Sequence, residues 1–418
     1  VLDLRRRYQE VRSTTVALCA PLSPEDATGQ SMTDASPAKW HLAHTTWFFE
    51  TFVLERFQPG YRPFHPAFRY LFNSYYNAVG AQYPRPERGL VTRPGLDEVQ
   101  VYRQHVDDHV DKLFENDAVG DDEARVLELG LHHEQQHQEL ILTDVKHLFS
   151  RNPLDPVYRE PPESPARPVP PLAWHRWEAG LREIGHAGPG FAFDNETPRH
   201  RVFVEGFALA SRPVTCGEFL AFMADGGYRR PELWLSDGWA AARAGQWRAP
   251  LYWREEDGRW RTLTLGGARD VRVDEPVCHV SHYEADAYAR WAGARLPTEV
   301  EWELVAAEQP VAGRFADAGW LHPAPAPPGD VQAEPGAPLQ LFGDVWEWTA
   351  SAYTPYPGYA PPAGALGEYN GKFMANQMVL RGGSCATPAG HVRPTYRNFF
   401  YPDARWQFTG IRLARDRA

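Results

Sequence analysis

The sequence predicts two domains of different class, α plus α+β: a four-helix bundle over residues 1–151 and an irregular α+β domain over residues 172–418. Three observations carry this reading. A chain of 418 residues is longer than one hydrophobic core ordinarily organises. Between Asn152 and Pro171 the stretch "NPLDPVYREPPESPARPVPP" holds eight prolines in twenty residues, which excludes helix and interior strand and marks 152–171 as a linker. The apolar pattern also changes across that linker, from helical periodicity before it to short aromatic and β-branched runs after it.

The helical half reads as follows. "SPAKWHLAHTTWFFETFVLERF" starts with Ser36 as N-cap and Pro37 at the first helical position. "LDEVQVYRQHVDDHVDKLFE" and "EARVLELGLHHEQQHQELILTDVKHLF" follow as amphipathic helices, and antiparallel packing would let ligands project inward from facing helices. In the second half, "HRVFVEGFALA", "QMVLRGGSC" and "FTGIRLAR" are strand-like runs between Gly- and Pro-rich loops. Only "SHYEADAYARWAGA" and "PTEVEWELVAAE" read as helices there. A second Pro-rich loop, "HPAPAPPGDVQAEPGAP" from His322, is read as an insertion within that domain.

Composition limits the function. A net charge of −11, with no basic arm, argues against nucleic acid and anionic membrane as partners and leaves small molecules as the expected substrates. No run of 18 apolar residues occurs, and the first residues, "VLDLRRRYQEVRS", lack the apolar stretch of a signal peptide, so a cytoplasmic protein is expected. The four cysteines, Cys19, Cys216, Cys278 and Cys385, lie far apart without a C-x-x-C pair and read as buried, reduced thiols.

The chemistry concentrates in "LHHEQQHQEL" at residues 131–140. His133 and His137 stand at i and i+4, so on a helix both imidazoles face the same space, as metal ligation requires. His133-Glu134-x-x-His137 is also the literal H-E-x-x-H pattern of a zinc protease, with Glu134 as its base. Against the protease stand the motif's place late in a helical bundle and a third histidine upstream in "KWHLAHTTWFFE". Three imidazoles with open positions suit an iron site at which oxygen and substrate meet, although three histidines also bind zinc. Spacing alone leaves His41 and His44 both open as the third ligand. His105 and His109 repeat the i, i+4 spacing among Asp107, Asp108 and Asp111 and read as a solvated helix face, while His132 and His147 read as structural.

These segments, together with "RYLFNSYYNAVG", "RLPTEVEWE", "GDVWEWT", "RGGS" and "YRNFFYPDARWQFTGIRLAR", resemble the EgtB-type ergothioneine sulfoxide synthases over nearly the whole chain. The resemblance implies a DinB-like four-helix bundle followed by a C-type-lectin-like, formylglycine-generating-enzyme-like α+β domain. It implies Fe(II) held by His44, His133 and His137, with His44 preferred to His41 because more distant relatives keep the histidine before Thr. With O2 as co-substrate, such enzymes join the imidazole of hercynine to a cysteine-type thiol and leave a sulfoxide. The resemblance further implies Tyr75 and Tyr76 as proton-donating phenols, Arg85 and Arg88 as binders of the thiol substrate's carboxylate, and Gln136, Asn398 and Phe399 as hercynine contacts.

Two departures bear on the donor. Asn398-Phe399-Phe400 stands where the best-known branch has Asn-Trp-Asp, so an acidic partner for the amine of γ-glutamylcysteine is missing and free cysteine or another small donor is favoured. Around Gln82-Tyr83 fewer basic residues stand than that branch leads one to expect. This admits selenoneine synthase, a homologue joining hercynine to a selenosugar, as the alternative. The isolated Cys385 does not match the closely spaced catalytic cysteines of the formylglycine-generating enzyme, so the second domain is expected to supply pocket walls. A non-catalytic sensor of betaines is the rival from another class.

Overall fold

The computed structural model describes residues 2–116, 119–162, 168–326 and 337–416. Residues 163–167 of the first Pro-rich stretch and 327–336 of the second lie outside the described residues. The chain divides into two units, Val1–Tyr158 with Pro361–Tyr369, and Arg159–Ala360 with Asn370–Ala418.

In the first unit the helices are α1 (Leu2–Cys19), α2 (Pro24–Thr28), α3 (Ala38–Phe49), α4 (Glu55–Phe57), α5 (Phe68–Leu71), α6 (Leu96–Glu115) and α7 (Asp121–Phe149). The four long ones form the bundle: α7 packs on α1 and α3, and α3 packs on α6. Charge favours the ends of α7, with Asp121, Asp122 and Glu123 in its first turn and Lys146 in its last, each sign opposing the adjacent end of the helix dipole. Every residue of α3 is buried, so this helix is the core element around which the others are arranged.

The start of α3 differs from the expected cap. Pro37 occupies the cap position and makes no side-chain hydrogen bond, while the Ser36 backbone N–H donates to Asp144 and its hydroxyl accepts from Arg88. Ser36 is drawn into tertiary contacts that outweigh the local cap. At its other end α3 runs into a π-helical turn, Glu50–Leu54. The buried Glu50 carboxylate there accepts hydrogen bonds from the Tyr61 hydroxyl, the Phe64 N–H and the Tyr102 hydroxyl, so one anion with three donors pins the irregular turn.

The face of α6 expected to be solvated is partly covered. His105 and His109 are half-buried, with the His109 ring 5.2 Å from Tyr61 and the His105 ring 5.2 Å from Phe64. Asp107 accepts from Tyr8 and Arg12 of α1. Asp107 and Asp111 pair with Arg12 and Arg5 of α1, while Asp108 stays exposed and accepts from Gln104 of its own helix.

The second unit is the irregular α+β assembly. Its four-stranded sheet runs in the order Asn398–Phe400, Met378–Arg381, Trp346–Ala352, Thr409–Gly410, antiparallel except for the last pair. A three-stranded sheet joins Trp174–Trp177, Phe207–Ala210 and Ala414–Asp416, and a meander spans Trp253–Asp270. The two expected helices appear as His282–Trp291 and Glu299–Ala306, but Cys216–Ala224 and Ser236–Ala244 are helical as well. The first of these begins with a capping box between Thr215 and Glu218, whose apolar continuation "FLAFMA" masks its period. Buried arginines meet carboxylates here: Arg381 pairs with Glu299 and Glu303, and Arg412 with Glu347. None of the four cysteines forms a disulfide.

Gly130 sets how closely α7 approaches α3. A Cβ at this position would lie 2.5 Å from Cε1 of Phe49 and 3.0 Å from Cε1 of Phe48. Overpacking of this kind costs about 1–3 kcal/mol, whereas replacing a helical glycine by alanine returns about 1 kcal/mol. Gly130→Ala is therefore expected to lower the urea midpoint of the protein; an unchanged or higher midpoint would mean that the two rings yield freely.

A candidate metal centre

Two helices supply four histidines. His41 and His44 lie one turn apart on α3, and His133 and His137 one turn apart on α7, and all four are buried. Three of them converge. The Nε2 atoms of His44 and His137 lie 3.2 Å and 3.1 Å from Nε2 of His133, which suits nitrogens sharing one metal ion. His41 stays outside this group, with Nδ1 2.7 Å from Nδ1 of His137 and Nε2 3.0 Å from the Asp144 carboxylate.

The surroundings hold the three rings and their protonation. His44 donates its Nδ1–H to the Phe72 carbonyl at 2.6 Å, leaving the Nε2 lone pair facing inward. Trp40 and Trp47 stack on the His44 ring at 4.5 Å and 5.6 Å, and Phe48 lies 4.7 Å from the His133 ring. Burial pushes all three imidazoles below their ordinary range, His133 to about 3, with neighbouring histidines depressing His44 and His137 further. They are neutral at pH 7, the state that a metal requires of an imidazole ligand.

Glu134, the base of the protease reading, is fully buried and turned away from that role. One carboxylate oxygen accepts from Arg12 and the other from Arg103, each at 2.8 Å. Burial alone would raise its pKa, but the two guanidiniums outweigh it and hold the group at about 2. A carboxylate this acidic, with both oxygens occupied, is a poor proton acceptor, so the H-E-x-x-H pattern is here a coincidence of helix spacing.

The remaining expected residues fall in four places. Tyr76 is buried among Trp47, Phe48 and Phe52, and the half-buried Tyr75 stacks on it at 4.7 Å. Arg88 is buried with its guanidinium 3.4 Å over the Trp40 ring, and it donates to the Ser36 and Ser74 hydroxyls. No carboxylate pairs with it among the described residues, and its Nε has no hydrogen-bond partner there. Arg85 is exposed and donates to the Asp34 carbonyl. Asn398, Phe399 and Phe400 form a strand of the second unit, where the Phe399 ring stacks on Tyr353 at 4.0 Å.

One residue at this centre was not anticipated. Tyr369, from the Pro361–Tyr369 segment that belongs to the first unit, places its ring 5.7 Å from His133 and 6.3 Å from Tyr75, and its hydroxyl donates to Oε1 of Gln136. Glu368 anchors the segment by accepting from the backbone N–H groups of Asn77 and Ala78 at 3.0 Å and 2.7 Å. "GEYNGKF" carries no local signal of this, because the contact joins positions more than 230 residues apart.

With this geometry in view, the similarity to known proteins is specific. A hercynine oxygenase from Mycolicibacterium thermoresistibile is 34% identical over 443 residues, covering 99% of this chain and 95% of that protein. The chain belongs to the hercynine oxygenase family. A hercynine oxygenase from Mycobacterium tuberculosis is likewise 34% identical, over 401 residues and 91% of each chain. Residues 7–141 match the DinB superfamily, and residues 176–417 match the sulfatase-modifying factor enzyme 1-like domain. The formylglycine-generating enzyme of Streptomyces coelicolor is 29% identical over 307 residues, covering 62% of this chain and 95% of that enzyme. The expected fold class, a DinB-like bundle followed by a formylglycine-generating-enzyme-like α+β domain, holds, and as a member of the hercynine oxygenase family the chain is an oxidoreductase.

The Glu134 pairing predicts an acid limit to stability. Its carboxylate has a folded-state pKa of about 2 against an ordinary value of 4.5, so its contribution is complete above 4.5 and is lost as pH falls from there toward 2. Glu134→Gln leaves two buried guanidiniums without their shared anion, a change that costs about 3–5 kcal/mol at neutral pH. In urea melts the gap between wild type and variant should be wide at pH 7 and narrow progressively below pH 4.5; equal stability at pH 7 would contradict the pairing.

Proposed function

We propose that this chain is a non-haem Fe(II) enzyme that uses O2 to join the imidazole carbon of hercynine to the sulfur of cysteine or a related thiol, giving a hercynyl sulfoxide. The observation that carries the reading is the convergence of three neutral, buried imidazole nitrogens, His44, His133 and His137, in a chain whose relatives are named hercynine oxygenases. The reaction balances: one oxygen atom ends on sulfur, and the other leaves as water with the hydrogens of the imidazole C–H and the thiol. Fe(II) held by the three imidazoles would supply the activation of O2 that this chemistry needs.

The chain's own groups would do the rest. Arg88 is a buried cation with no carboxylate partner among the described residues, a state that is expensive unless an anion arrives to complete it. A donor carboxylate fits that need, and the exposed Arg85 adds positive charge at the approach. This favours an amino-acid thiol over the alternative selenosugar donor, which has no carboxylate to offer.

Tyr369 and Tyr75 are the phenols that fit a proton-donating role beside His133. The Tyr369 hydroxyl already directs its proton to Gln136, whose side chain would pass from Tyr369 to substrate as the substrate enters. Burial pushes the Tyr76 hydroxyl well above its ordinary value, with Tyr75 and Tyr369 adding to the shift, which suits Tyr76 to packing behind Tyr75.

The test is product mass after anaerobic Fe(II) loading and addition of hercynine and O2, with cysteine, γ-glutamylcysteine or a selenosugar in parallel. A sulfoxide adduct with a carboxylate-bearing thiol is expected; an adduct with the selenosugar alone would overturn the donor assignment. His133→Ala and His137→Ala should abolish iron uptake and turnover, and either variant keeping both would contradict the ligand set. Arg88→Gln should raise the KM for the thiol on the order of tenfold or more while leaving that for hercynine nearly unchanged.

A further inference from the structure

The three converging histidines differ in what holds their outer nitrogen. Nδ1 of His44 donates to a backbone carbonyl, Nδ1 of His133 has no hydrogen-bond partner among the described residues, and Nδ1 of His137 meets His41, which in turn meets Asp144. We infer that His41 and Asp144 are positioning residues for His137, forming a hydrogen-bonded series that fixes the orientation and tautomer of this one ligand and strengthens it as a donor to the metal. The inference rests on the triad being the metal site, as proposed above.

Proton bookkeeping leaves one consistent arrangement. With Nε2 of His137 unprotonated and facing the triad, its proton sits on Nδ1 and is donated to Nδ1 of His41 at 2.7 Å. His41 must then carry its own proton on Nε2, and that atom lies 3.0 Å from Oδ2 of Asp144, a proper acceptor. The reverse order would aim the bare Nε2 lone pair of His41 at a carboxylate and place the His137 proton in the centre of the triad. The same Asp144 oxygen accepts the Ser36 N–H at 2.8 Å, which fixes the carboxylate from a third direction.

All members of the series are buried, so water does not compete for these bonds. The series also crosses between the ligand-bearing helices: His137 and Asp144 lie two turns apart on α7, and His41 reaches between them from α3. It therefore holds α3 and α7 in the register at which His44 meets His133. A carboxylate acting through an imidazole makes the ligating imidazole a better donor than a carbonyl does, so the three ligands are expected to be unequal, His137 strongest and His133 weakest.

The experiment titrates the full-length protein with Co(II), whose visible absorption reports its ligands, and with Fe(II) in competition with a chelator, for wild type, Asp144→Asn, His41→Asn, His41→Phe and His44→Ala. Melting curves accompany each variant, and the isosteric Asp144→Asn and the smaller His41→Asn serve where His41→Phe does not fold. Asp144→Asn and His41→Phe should bind either metal about 10–100-fold more weakly and shift the Co(II) bands. His41→Asn, whose side-chain oxygen can still accept the His137 Nδ1–H, should fall between wild type and His41→Phe. Folded variants with wild-type affinity and bands would overturn the inference while leaving the triad standing. Loss of all metal binding in His41→Asn with retention in His44→Ala would make His41 itself the ligand and overturn it too. Wild-type protein that takes up neither metal would overturn both the triad reading and the inference.

Discussion

Three uncharged imidazole nitrogens facing one another at 3.1–3.2 Å inside a helical core are a constraint that the rest of the first unit must maintain. Their lone pairs repel, and burial removes the water that would otherwise separate them. The arrangement persists because each ring is held from outside: His44 by the Phe72 carbonyl and two stacked indoles, His137 by His41, and His133 by packing against Phe48 and Tyr369. The wholly buried α3, the close approach at Gly130 and the ion pairs joining α1, α6 and α7 around Glu134 serve that positioning.

Charge is distributed with the same logic. Behind the triad the Glu134 carboxylate lies between Arg12 and Arg103, and Arg12 also meets Asp107. Arg88 is held differently, by an indole and two hydroxyls instead of an anion. Trp40 connects the two features, since one indole both underlies the Arg88 guanidinium and stacks on His44. The position of the unmatched charge, one aromatic ring from the triad, is what gives the donor assignment its physical content.

Much of this was legible in the sequence where the signal is local. The i, i+4 spacing of His133 and His137 and the helical periodicity of the first half are short-range patterns, and the change to short strand-like runs in the second half was equally plain. What escaped was set by tertiary contact. Ser36 has the chemistry of a cap but is taken by Asp144 and Arg88, and Asp107 and Asp111 near His105 and His109 have the look of a solvated face but pair with α1. Tyr369 reaches the histidines through a fold-level connection that no window of sequence contains. The choice between His41 and His44 is of the same kind, because the two are equivalent in spacing and differ only in which partner each nitrogen meets.

The central claim, that these three histidines hold iron with room for the imidazole of hercynine, is most directly tested by X-ray absorption at the iron edge of the Fe(II)-loaded full-length protein, with and without hercynine under anaerobic conditions. The account predicts a spectrum fitted by three imidazoles and light-atom ligands, free of sulfur, with the imidazole contribution rising when hercynine is added. A spectrum with fewer than three imidazoles, with cysteine sulfur, or with no response to hercynine would contradict it.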